Sequence, residues 1–497
     1  MPKDHVILVN PSFVFDNEKS RRLKYNDFPL NLGLLASILI AKGYSAEIIN
    51  ANIHPDWESR VLHSLRREDI AFVGFTCMSS QVESTIKLCK TIRRDFPSVH
   101  IVLGGVHPTL VPESLIRTGL VDVCVVGEGD VAVVKIIEYI NGGLAIEDVP
   151  NIAAIGQDGK ITKTASAPQT DFSGLPCSIN PTLYKEDIEK YVIAGPVKGF
   201  PILTALGCKF QCAFCINNIT KRRYRSKPAP AILEEMRYLK QEHDIRFFVF
   251  QDEHFFGDKP RLYELLQLIE DDKDLFGNIN WTTTVRVTDF KEDYLNVPLL
   301  KRIVRSGCVG LGTGGESGSD RMLKALRKGT SREDILRAGR YSTEAGLRLS
   351  YSFVMLWPSE TMEEMRETSV IIDTILRMGP CTHVPYFQTY RPYPGSIWEP
   401  DLTRFEDPEN IPSDTWRMQL LDKKRLDAFE KPGLLYNLIL ITQVMTLVGD
   451  PIWHSAMPAG LKKMLYALCS FRVRHDFLGF LLEKPLLHYI QRRHTNF

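Results

Sequence analysis

The chain has 497 residues, of which 44% are hydrophobic and 24% are charged, and its formal net charge is +1. This length exceeds one compact core and predicts about three domains, while the composition is typical of a soluble globular protein. The balanced charge gives no indication of nucleic acid as a partner. Ten cysteines are too few for a secreted disulfide scaffold, so we expect a reducing, cytoplasmic location.

Residues 1–150 alternate short apolar segments with longer amphipathic ones. The apolar run at the N-terminus is too brief for a signal peptide and predicts a buried strand. Five strands are expected in this region: HVILVN (5–10), AEIIN (46–50), AFVGFT (71–76), HIVLGG (100–105) and VDVCVVG (121–127). Strands that alternate with helices indicate a doubly wound, Rossmann-like α/β domain with a parallel sheet, which binds ligands at the carboxyl ends of its strands.

Residues 151–195 are predicted to form a hairpin and a linker. The segment NIAAIGQDGKITKT (151–164) has a turn signal at Asp158-Gly159. A stretch rich in proline, serine and aspartate follows it, and we place a domain boundary there.

A second alternation of strands and helices occupies residues 196–398. Its expected strands are PILTAL (201–206), RFFVFQ (246–251), NWTTTVRV (280–287), VGLGT (309–313), LRLSYSFVML (347–356) and HVPYFQTY (383–390). Six βα units predict a partial (β/α)6 barrel of the TIM type, whose chemistry gathers on the loops that follow the strands.

Residues 399–497 show no strand pattern and predict a helical region. Its most apolar stretch, 434–448, is shorter than the roughly 20 residues of a membrane span and contains polar residues, so a buried helix is expected. The last segment, 461–497, has seven Lys and Arg against two Asp and Glu, a net charge of +5. Two interpretations fit it, a solvated helix face or a peripheral contact with anionic lipid.

Three cysteines follow the first expected barrel strand. Cys208, Cys212 and Cys215 have C-x3-C-x2-C spacing, and no fourth cysteine lies nearby. Structural zinc sites and ordinary electron-transfer iron–sulfur clusters use four protein ligands. Three thiolates on a [4Fe–4S] cluster would leave one iron free to bind a small molecule. The alternative is a set of structural or zinc-binding cysteines.

With these cysteines and the aromatic Phe214, residues 200–395 resemble the radical S-adenosylmethionine (SAM) superfamily. The resemblance implies a [4Fe–4S] cluster on Cys208, Cys212 and Cys215, whose open iron is chelated by the amino and carboxylate groups of SAM. It also implies formation of a 5′-deoxyadenosyl radical and an electron donor such as flavodoxin or ferredoxin.

Further segments match the superfamily in chain order. FVFQDEHFF (248–256) resembles its acidic segment, WTTTVRV (281–287) its third strand, and GGESGSD (314–320) its fourth; KRRYRSK (221–227) resembles the segment that trails the cluster loop. In LWPSET (356–361), Trp357 and Ser359 stand where the family often has glycine, and YRPYPGS (390–396) is a further match. The resemblance implies these SAM-binding residues: Phe214, Asp252, Glu253, Arg286, Glu316 and Ser317. The guanidinium of Arg286 is suited to bidentate pairing with a carboxylate.

Residues 1–150 resemble the cobalamin-binding domain that precedes this barrel in one large subgroup. The matching segments are NPS (10–12), PLNLGLLASIL (29–39), GGVHPTLVPE (104–113) and VVGEGD (125–130). The implied cobalamin-binding residues are Asn10, Pro11, Ser12, Gly33, Gly104, Gly105, His107, Thr109, Gly127, Glu128 and Gly129. The alternative is an α/β domain that serves only as a scaffold.

One match is interpreted as coincidence. DEHFFG (252–257) fits D-x-H-x-x-G, whose histidine ligates cobalt in other cobalamin proteins, but it lies in the barrel. No such motif occurs in residues 1–150. We therefore do not expect His254 to bind cobalt, and we expect cobalamin without a histidine beneath it.

The leading hypothesis is a cobalamin-dependent radical SAM methyltransferase, which transfers a methyl group through methylcobalamin to an unactivated carbon. A radical SAM cyclase or rearrangement enzyme with bound cobalamin, and a carrier of corrinoid or iron–sulfur cluster without catalysis, are the alternatives. The substrate is expected to be a small molecule. Phe429, Leu434, Leu435 and Trp453 favour a hydrophobic one such as a lipid or tetrapyrrole, although they fit an ordinary core equally well. No catalytic acid or base and no oligomeric state is indicated.

Overall fold

Two α/β units and a pair of C-terminal helices make up the computed structural model. It describes residues 2–12, 28–172, 175–176, 183, 188–192, 198–390, 431–449 and 458–479. The predicted order of an α/β domain, a barrel and a helical region is confirmed in these parts of the chain.

The N-terminal unit is built on a seven-stranded sheet. Its strands are β1 His5–Asn10, β2 Ser45–Asn50, β3 Ile70–Thr76, β4 His100–Gly104, β5 Val123–Val125, β6 Ile152–Ile155 and β7 Ile161–Lys163. They lie in the order β2-β1-β3-β4-β5-β6-β7, of which the first five are parallel. The strand order reverses between β1 and β3, which is the position where such sheets bind ligands.

The predicted hairpin is confirmed, and it belongs to this sheet. Strand β6 pairs antiparallel with β5, with Val125 opposite Ile152, and β7 pairs with β6. The turn between β6 and β7 includes Gly159 with φ +75°. The N-terminal sheet therefore continues past residue 150 and ends at Lys163.

Helices cover both faces of the N-terminal sheet. They are α1 Leu30–Ala41, α2 Trp57–Ser64, α3 Val82–Asp95, α4 Val106–Leu110, α5 Pro112–Ile116 and α6 Ala132–Ile140. In β1, Val6 and Leu8 pack with α1 and α6 on one face, while Ile7 and Val9 pack with α2, α3 and α5 on the other. Because both faces are buried, the strand is apolar at consecutive positions. The doubly wound, Rossmann-like prediction is confirmed.

The second unit is a six-stranded parallel sheet with the order of the chain. Its strands are β8 Gly199–Ile202, β11 Phe247–Phe250, β12 Asn280–Val285, β13 Cys308–Glu316, β14 Leu349–Met355 and β15 Thr382–Thr389. The short strands β9 Ala205–Leu206 and β10 Arg225–Ser226 form a separate antiparallel pair. The first predicted barrel strand is therefore divided between β8 and β9, and the partial barrel is confirmed.

The helices of this unit precede or connect its strands. They are α7 Ile188–Tyr191, α8 Ile216–Thr220, α9 Ala229–His243, α10 Lys259–Asp271, α11 Lys273–Phe276, α12 Val297–Arg305, α13 Asp320–Ala325, α14 Arg332–Ala345 and α15 Met362–Leu376. Two of them begin with a capping box, in which Ser331 pairs with Asp334 and Thr361 with Glu364. Such reciprocal hydrogen bonds satisfy the free N–H groups of the first helical turn.

Helices α16 Pro432–Gly449 and α17 Ala459–Arg474 pack against α15 and β15. Leu438 and Ile441 are fully buried in the barrel core, and the Thr442 and Ser369 hydroxyls are 2.8 Å apart. In the described parts of the chain, no helix is both long and apolar enough to cross a membrane. The predicted buried helix at 434–448 is confirmed, and its Leu434 and Leu435 belong to ordinary core.

The basic segment 461–497 is described only as far as residue 479. Helix α17 is attached to α15 through the buried carboxylate of Asp373, which pairs with Arg474 and accepts a hydrogen bond from Tyr466. Met464 and Phe471 on α17 are 60% and 56% exposed. Contact with anionic lipid stays a prediction, as does the cytoplasmic location. Phe429, Trp453 and residues 391–396 lie outside the described residues.

Candidate active site

The three cysteines lie on a loop at the carboxyl end of the first barrel strand. This loop, the cluster loop, begins at Gly207, whose φ is +73°, and ends at α8, which starts directly after Cys215. A Cβ at Gly207 would collide with the carbonyl of Arg223, so the turn requires glycine at this position. The loop thus lies at the edge of the sheet where barrel enzymes place their chemistry.

The three thiols are free and can bind iron. Cys212 is buried, Cys208 and Cys215 are half-buried, and the nine described cysteines form no disulfide. Burial raises the pKa of the Cys208 and Cys215 thiols, so metal binding has to release their protons. Among the described residues, no three His, Cys, Asp or Glu side chains converge on one ion. A [4Fe–4S] cluster fits such thiolates, because each of them binds a different iron, whereas zinc needs all its ligands around one centre.

The second half of the loop is held by the barrel. The Ala213 N–H donates to the carbonyl of Leu326 at 2.9 Å. The Phe214 ring packs on Trp357, with 5.2 Å between the ring centres, and Trp357 packs on Tyr390. Phe214, predicted to bind SAM, therefore lies in an apolar cluster beside the cysteines.

Asp252 and Glu253, both predicted to bind SAM, have different environments. The buried Asp252 carboxylate accepts hydrogen bonds from the N–H groups of Thr204 and Ala205, at 2.7 and 2.9 Å, and from the Thr204 hydroxyl. Burial raises its pKa. Through these contacts Asp252 fixes the backbone of Thr204 and Ala205, just before the cluster loop. Glu253 remains accessible at the edge of a large cavity.

Asn217 and Arg222, which the sequence analysis did not identify, hold the Glu253 carboxylate in place. The amide of Asn217 donates to Glu253 Oε2 at 2.9 Å, and Arg222 Nη1 lies 3.0 Å from Glu253 Oε1. Asn217 is the second residue after Cys215, so the acidic group and the cluster loop are directly connected. The KRRYRSK segment was recognised as a match, but a motif does not reveal which acid its arginines meet.

Arg286 lies against the cluster loop. Its Nη1 is 3.5 Å from Cys212 Sγ, and its guanidinium is 3.6 Å from the centre of the Phe210 ring. This group, predicted to bind SAM and suited to pairing with a carboxylate, therefore directly contacts Cys212, one of the three predicted cluster ligands.

Glu316 is the last residue of β13 and Ser317 follows it, and both are buried. Glu316 has φ +63° and pairs with Lys328 at 2.5 Å, and Lys328 Nζ also donates to the carbonyl of Gly314. The Ser317 hydroxyl is 3.3 Å from that of Thr368 and accepts a hydrogen bond from the Ser319 N–H. Ser317 is fully buried and stabilises the turn, which leaves Glu316 as the more accessible of the two.

The LWPSET segment takes a left-handed backbone at two positions. Leu356 has φ +60° and Ser359 has φ +63°. The expectation that Trp357 occupies a glycine position was wrong, since the strained residues are Leu356 and Ser359. The Trp357 N–H instead donates to Glu360 Oε2 at 3.0 Å, which closes the turn.

A cavity of about 1080 Å³ lies between the two α/β units. Its N-terminal wall includes the ends of β1, β3, β4 and β5, and its opposite wall includes Leu203, Ala205, Leu206, Gln251 and Glu253 of the barrel. Such a volume suits a large cofactor, and the apolar side chains of Leu8, Phe72 and Val102 line its interior.

The cavity brings together about half of the predicted cobalamin-binding residues. Those in its lining are Asn10, Gly104, Gly105, Gly127, Glu128 and Gly129. A Cβ at Gly127 would meet no atom within 4 Å, and its φ is +91°. The glycines leave the strand ends free of side chains, which permits close approach of a flat macrocycle.

The other predicted residues are not part of this lining: Pro11, Ser12, Gly33, His107 and Thr109. Thr109 donates to the carbonyl of Gly105 at 2.7 Å and accepts a hydrogen bond from the Gly127 N–H, so it joins the two glycine loops. His107 is buried against Ser79, and burial lowers its pKa to about 4. Gly33 lies within α1. Of these residues, Thr109 supports the cavity through its contacts with Gly105 and Gly127.

A network of amides at the ends of β1, β2 and β3 was also missed. Gln81 donates to Asn10 Oδ1 at 2.9 Å and to the carbonyl of Pro11 at 2.8 Å, and Asn10 donates to Asn50. The carbonyl of Ser12 accepts from Ser84. The CMSSQ sequence directly after β3 was a usable signal, because parallel sheets place ligand sites at such strand ends.

His254 has a structural environment in the barrel. Its Nε2 is 3.3 Å from Asp289 Oδ2, and its ring packs on Phe210 and Tyr224. The residue is buried and lies outside the cavity lining. This placement agrees with the interpretation that its D-x-H-x-x-G match is coincidental.

Comparisons with known proteins agree with this architecture. A model described as the B12 binding domain matches residues 21–137, and one described as the Radical SAM superfamily matches residues 202–369. The chain belongs to the radical SAM enzymes that carry a B12-binding domain. The two models imply cobalamin, a [4Fe–4S] cluster and SAM as cofactors, as predicted. Membership of a radical SAM enzyme family speaks against the carrier hypothesis.

Three curated relatives of this radical SAM enzyme cover most of its length. An uncharacterised methyltransferase from Pyrococcus horikoshii is 26% identical, over 75% of this chain and 78% of the relative. The anaerobic magnesium-protoporphyrin IX monomethyl ester cyclase of Rubrivivax gelatinosus is 25% identical, over 73% and 64%. The bacteriochlorophyllide d C-8(2)-methyltransferase of Chlorobaculum tepidum is 24% identical, over 88% and 93%.

Two solved structures share the fold. The cobalamin-dependent SAM radical enzyme OxsB with aqua-cobalamin bound has a TM-score of 0.69 at 17% identity and covers 99% of this chain and 76% of its own. The radical SAM methyltransferase TsrM of Kitasatospora setae, with cobalamin and a [4Fe–4S] cluster bound, has a TM-score of 0.61 at 18% identity, over 78% and 74%. At these identities the likeness establishes the fold alone.

Proposed function

We propose that this protein is a cobalamin-dependent methyltransferase, which moves a methyl group from SAM by way of cobalamin to an unactivated carbon of a small molecule. The relatives from P. horikoshii and C. tepidum support methyl transfer, since both have methyltransferase names. The bacteriochlorophyllide and protoporphyrin relatives support a hydrophobic, tetrapyrrole-like substrate.

The shared cavity is the observation that carries the proposal. Gly104, Gly105 and Gly127 line it from the N-terminal sheet, and Arg222 and Glu253 line it from beside the cluster loop. A macrocycle bound at the strand ends would therefore face the part of the barrel that holds the three cysteines. Transfer of a methyl group between two cofactors and one substrate requires such a common space, because reacting groups must approach closely.

Different side chains of this protein bind the cluster and SAM. Cys208, Cys212 and Cys215 hold the cluster, and the Glu253 carboxylate, fixed by Asn217 and Arg222, offers a negative charge to the amino group of SAM. When bound, SAM supplies both the methyl group and a 5′-deoxyadenosyl radical, and cobalamin carries the methyl group. The apolar walls of the cavity exclude water, which protects radical intermediates from side reactions.

The second candidate is an oxidative cyclase with bound cobalamin. The cyclase of R. gelatinosus favours it, because this relative matches 73% of the chain. Both functions use the same cluster and cavity, so they differ in the product alone. A gain of one CH2 in product mass indicates methylation, whereas a loss of hydrogen indicates cyclisation.

The test is anaerobic reconstitution of the full chain with iron, sulfide and cobalamin, followed by turnover with SAM and a chemical reductant. We expect the visible spectra of both a [4Fe–4S] cluster and cobalamin, and formation of S-adenosylhomocysteine and 5′-deoxyadenosine. A Cys212→Ala variant should lose the cluster and keep cobalamin, because the cavity lies mainly on the N-terminal unit. The matched control is Cys381→Ala, at a half-buried cysteine outside the loop, which should keep both.

The outcomes separate the candidates. A cluster without bound cobalamin would contradict the methyltransferase proposal and leave the N-terminal unit as a scaffold. A fully loaded protein that gave 5′-deoxyadenosine without S-adenosylhomocysteine, together with a dehydrogenated product, would favour the cyclase.

A further inference from the structure

The guanidinium of Arg286 makes three separate attachments next to the predicted iron–sulfur site. Its Nη1 lies 3.5 Å from Cys212 Sγ, within the range for a hydrogen bond to sulfur. Its Nη2 donates to the carbonyl of Lys328, and its plane covers the Phe210 ring at 3.6 Å. The Lys328 carbonyl and the Phe210 ring fix the orientation in which Arg286 meets the Cys212 sulfur.

The ring under Arg286 is itself held in place. Phe210 lies between Cys208 and Cys212 in the sequence, and it packs on His254 with 5.3 Å between the ring centres. His254 is anchored by Asp289, which is on the turn that follows Arg286. The cluster loop and the end of strand β12 therefore form one packed unit around the Cys212 sulfur.

This arrangement limits what Arg286 can offer to SAM. Both terminal nitrogens have protein acceptors, and only Nε has none among the described residues. Of the five N–H groups of the guanidinium, the contacts to Cys212 and Lys328 use one on each terminal nitrogen and hold the group in a fixed orientation, so a bidentate pair with a carboxylate would have to form in that orientation. The contacts favour a role at the cluster over a role at the carboxylate.

We propose that Arg286 is a positioning residue that raises the reduction potential of the [4Fe–4S] cluster by donating a hydrogen bond to the Cys212 thiolate. The inference rests on the cluster that the proposed function assigns to the three cysteines. One-electron reduction adds negative charge to the cluster, and a positive donor at a ligand sulfur stabilises that reduced state. Groups around the ligands commonly tune a metal site in this way.

The experiment is a redox titration of the reconstituted full-length protein, monitored by electron paramagnetic resonance and carried out without SAM. We expect a more negative midpoint potential for Arg286→Gln than for the wild type. Arg286→Lys should lie between them, because lysine keeps the charge but cannot contact Cys212, Lys328 and Phe210 together. The control is Arg302→Gln, which removes the same charge from an ion pair with Glu270 and should keep the wild-type potential.

A second measurement is the dissociation constant of SAM for each variant. Weaker SAM binding by Arg286→Gln with an unchanged potential would overturn the inference and assign the residue to the carboxylate. If the Gln variant fails to assemble a cluster, the midpoint potential of the Lys variant becomes the test. A wild-type potential in the Lys variant would contradict the inference. Failure of the wild-type protein to form a cluster would overturn both this inference and the proposed function.

Discussion

Arg225 and Glu128 form a buried ion pair that joins the barrel to the N-terminal unit. Both terminal nitrogens of Arg225 contact the Glu128 carboxylate, and the two side chains are 3% and 16% exposed. Arg225 also donates to the carbonyl of Thr170 at 2.6 Å. Glu128 was predicted to bind cobalamin, and it lines the cavity, but its carboxylate is already committed to Arg225.

Removal of one partner of this ion pair should therefore lower the free energy of unfolding of the protein. Arg225→Gln leaves the half-buried Glu128 carboxylate without its counter-charge, which lowers the free energy of unfolding by at most about 3–5 kcal/mol. Lys198→Gln is the control, because its pair with Glu189 is 45% and 58% exposed and contributes at most about 1 kcal/mol. Urea unfolding of the two variants measures both costs, and equal costs would contradict a structural role for the buried pair.

Gly105 should not tolerate a side chain, whereas its neighbour Gly104 should. Gly105 has φ +103°, and a Cβ there would lie 3.0 Å from the Cys77 nitrogen and 3.1 Å from its oxygen. A Cβ at Gly104 would meet only Val125, at 3.8 Å. We expect Gly105→Ala to cost about 1–3 kcal/mol through backbone strain, and Gly104→Ala to cost less than about 1 kcal/mol. Urea unfolding tests the difference, and similar losses in the two variants would contradict it.

Substitutions of Asp252 and Glu253 should have different effects: the first should lower stability, and the second should weaken SAM binding. Asp252→Asn replaces a carboxylate that accepts three hydrogen bonds from Thr204 and Ala205, so we expect a loss of about 2–3 kcal/mol in unfolding free energy. Glu253→Gln should leave stability nearly unchanged and weaken SAM binding, since the negative charge is lost. Isothermal titration with SAM and urea unfolding measure the two quantities, and the reverse pattern would show that Asp252 is the ligand.

The sequence identified elements and motifs better than it identified partners. Buried parallel strands such as β1 are apolar at consecutive positions, and the cysteine spacing is local, so both were predicted correctly. Glu128 and Arg225 are 97 positions apart, and Asp252 and Thr204 are 48 apart. A motif names the charged group but not its counter-charge, because that pairing depends on how distant segments pack. For this reason side chains predicted to bind cofactors were found in contact with other parts of the protein.

Glu360 should make the protein less stable as the pH rises from about 4.5 to about 8. Burial raises its pKa from 4.5 to about 8, and Oε1 has no hydrogen-bond partner among the described residues. Between these values the folded state binds a proton that the unfolded state has lost, so the free energy of unfolding falls by at most about 1.4 kcal/mol per pH unit.

The matched variant is Glu360→Gln, whose amide oxygen can still accept from the Trp357 N–H. It should show a smaller decline in unfolding free energy across this pH range than the wild type. Urea unfolding at several pH values gives both slopes, and parallel slopes would mean that Glu360 is ionised in the folded protein.

Ile441 and Tyr436 should distinguish a buried helix from one that faces lipid. Both lie on α16, yet Ile441 is fully buried against the barrel and Tyr436 is 46% exposed. Ile441→Ala should cost about 2–5 kcal/mol, because it removes packed methyl groups and leaves a cavity, while Tyr436→Ala should cost less than about 0.5 kcal/mol. If α16 instead packed its apolar face on lipid, Ile441→Ala would weaken vesicle binding and leave urea unfolding in the absence of vesicles unchanged. The buried contacts of Leu438, Ile441 and Thr442 with the barrel lead us to expect the opposite result.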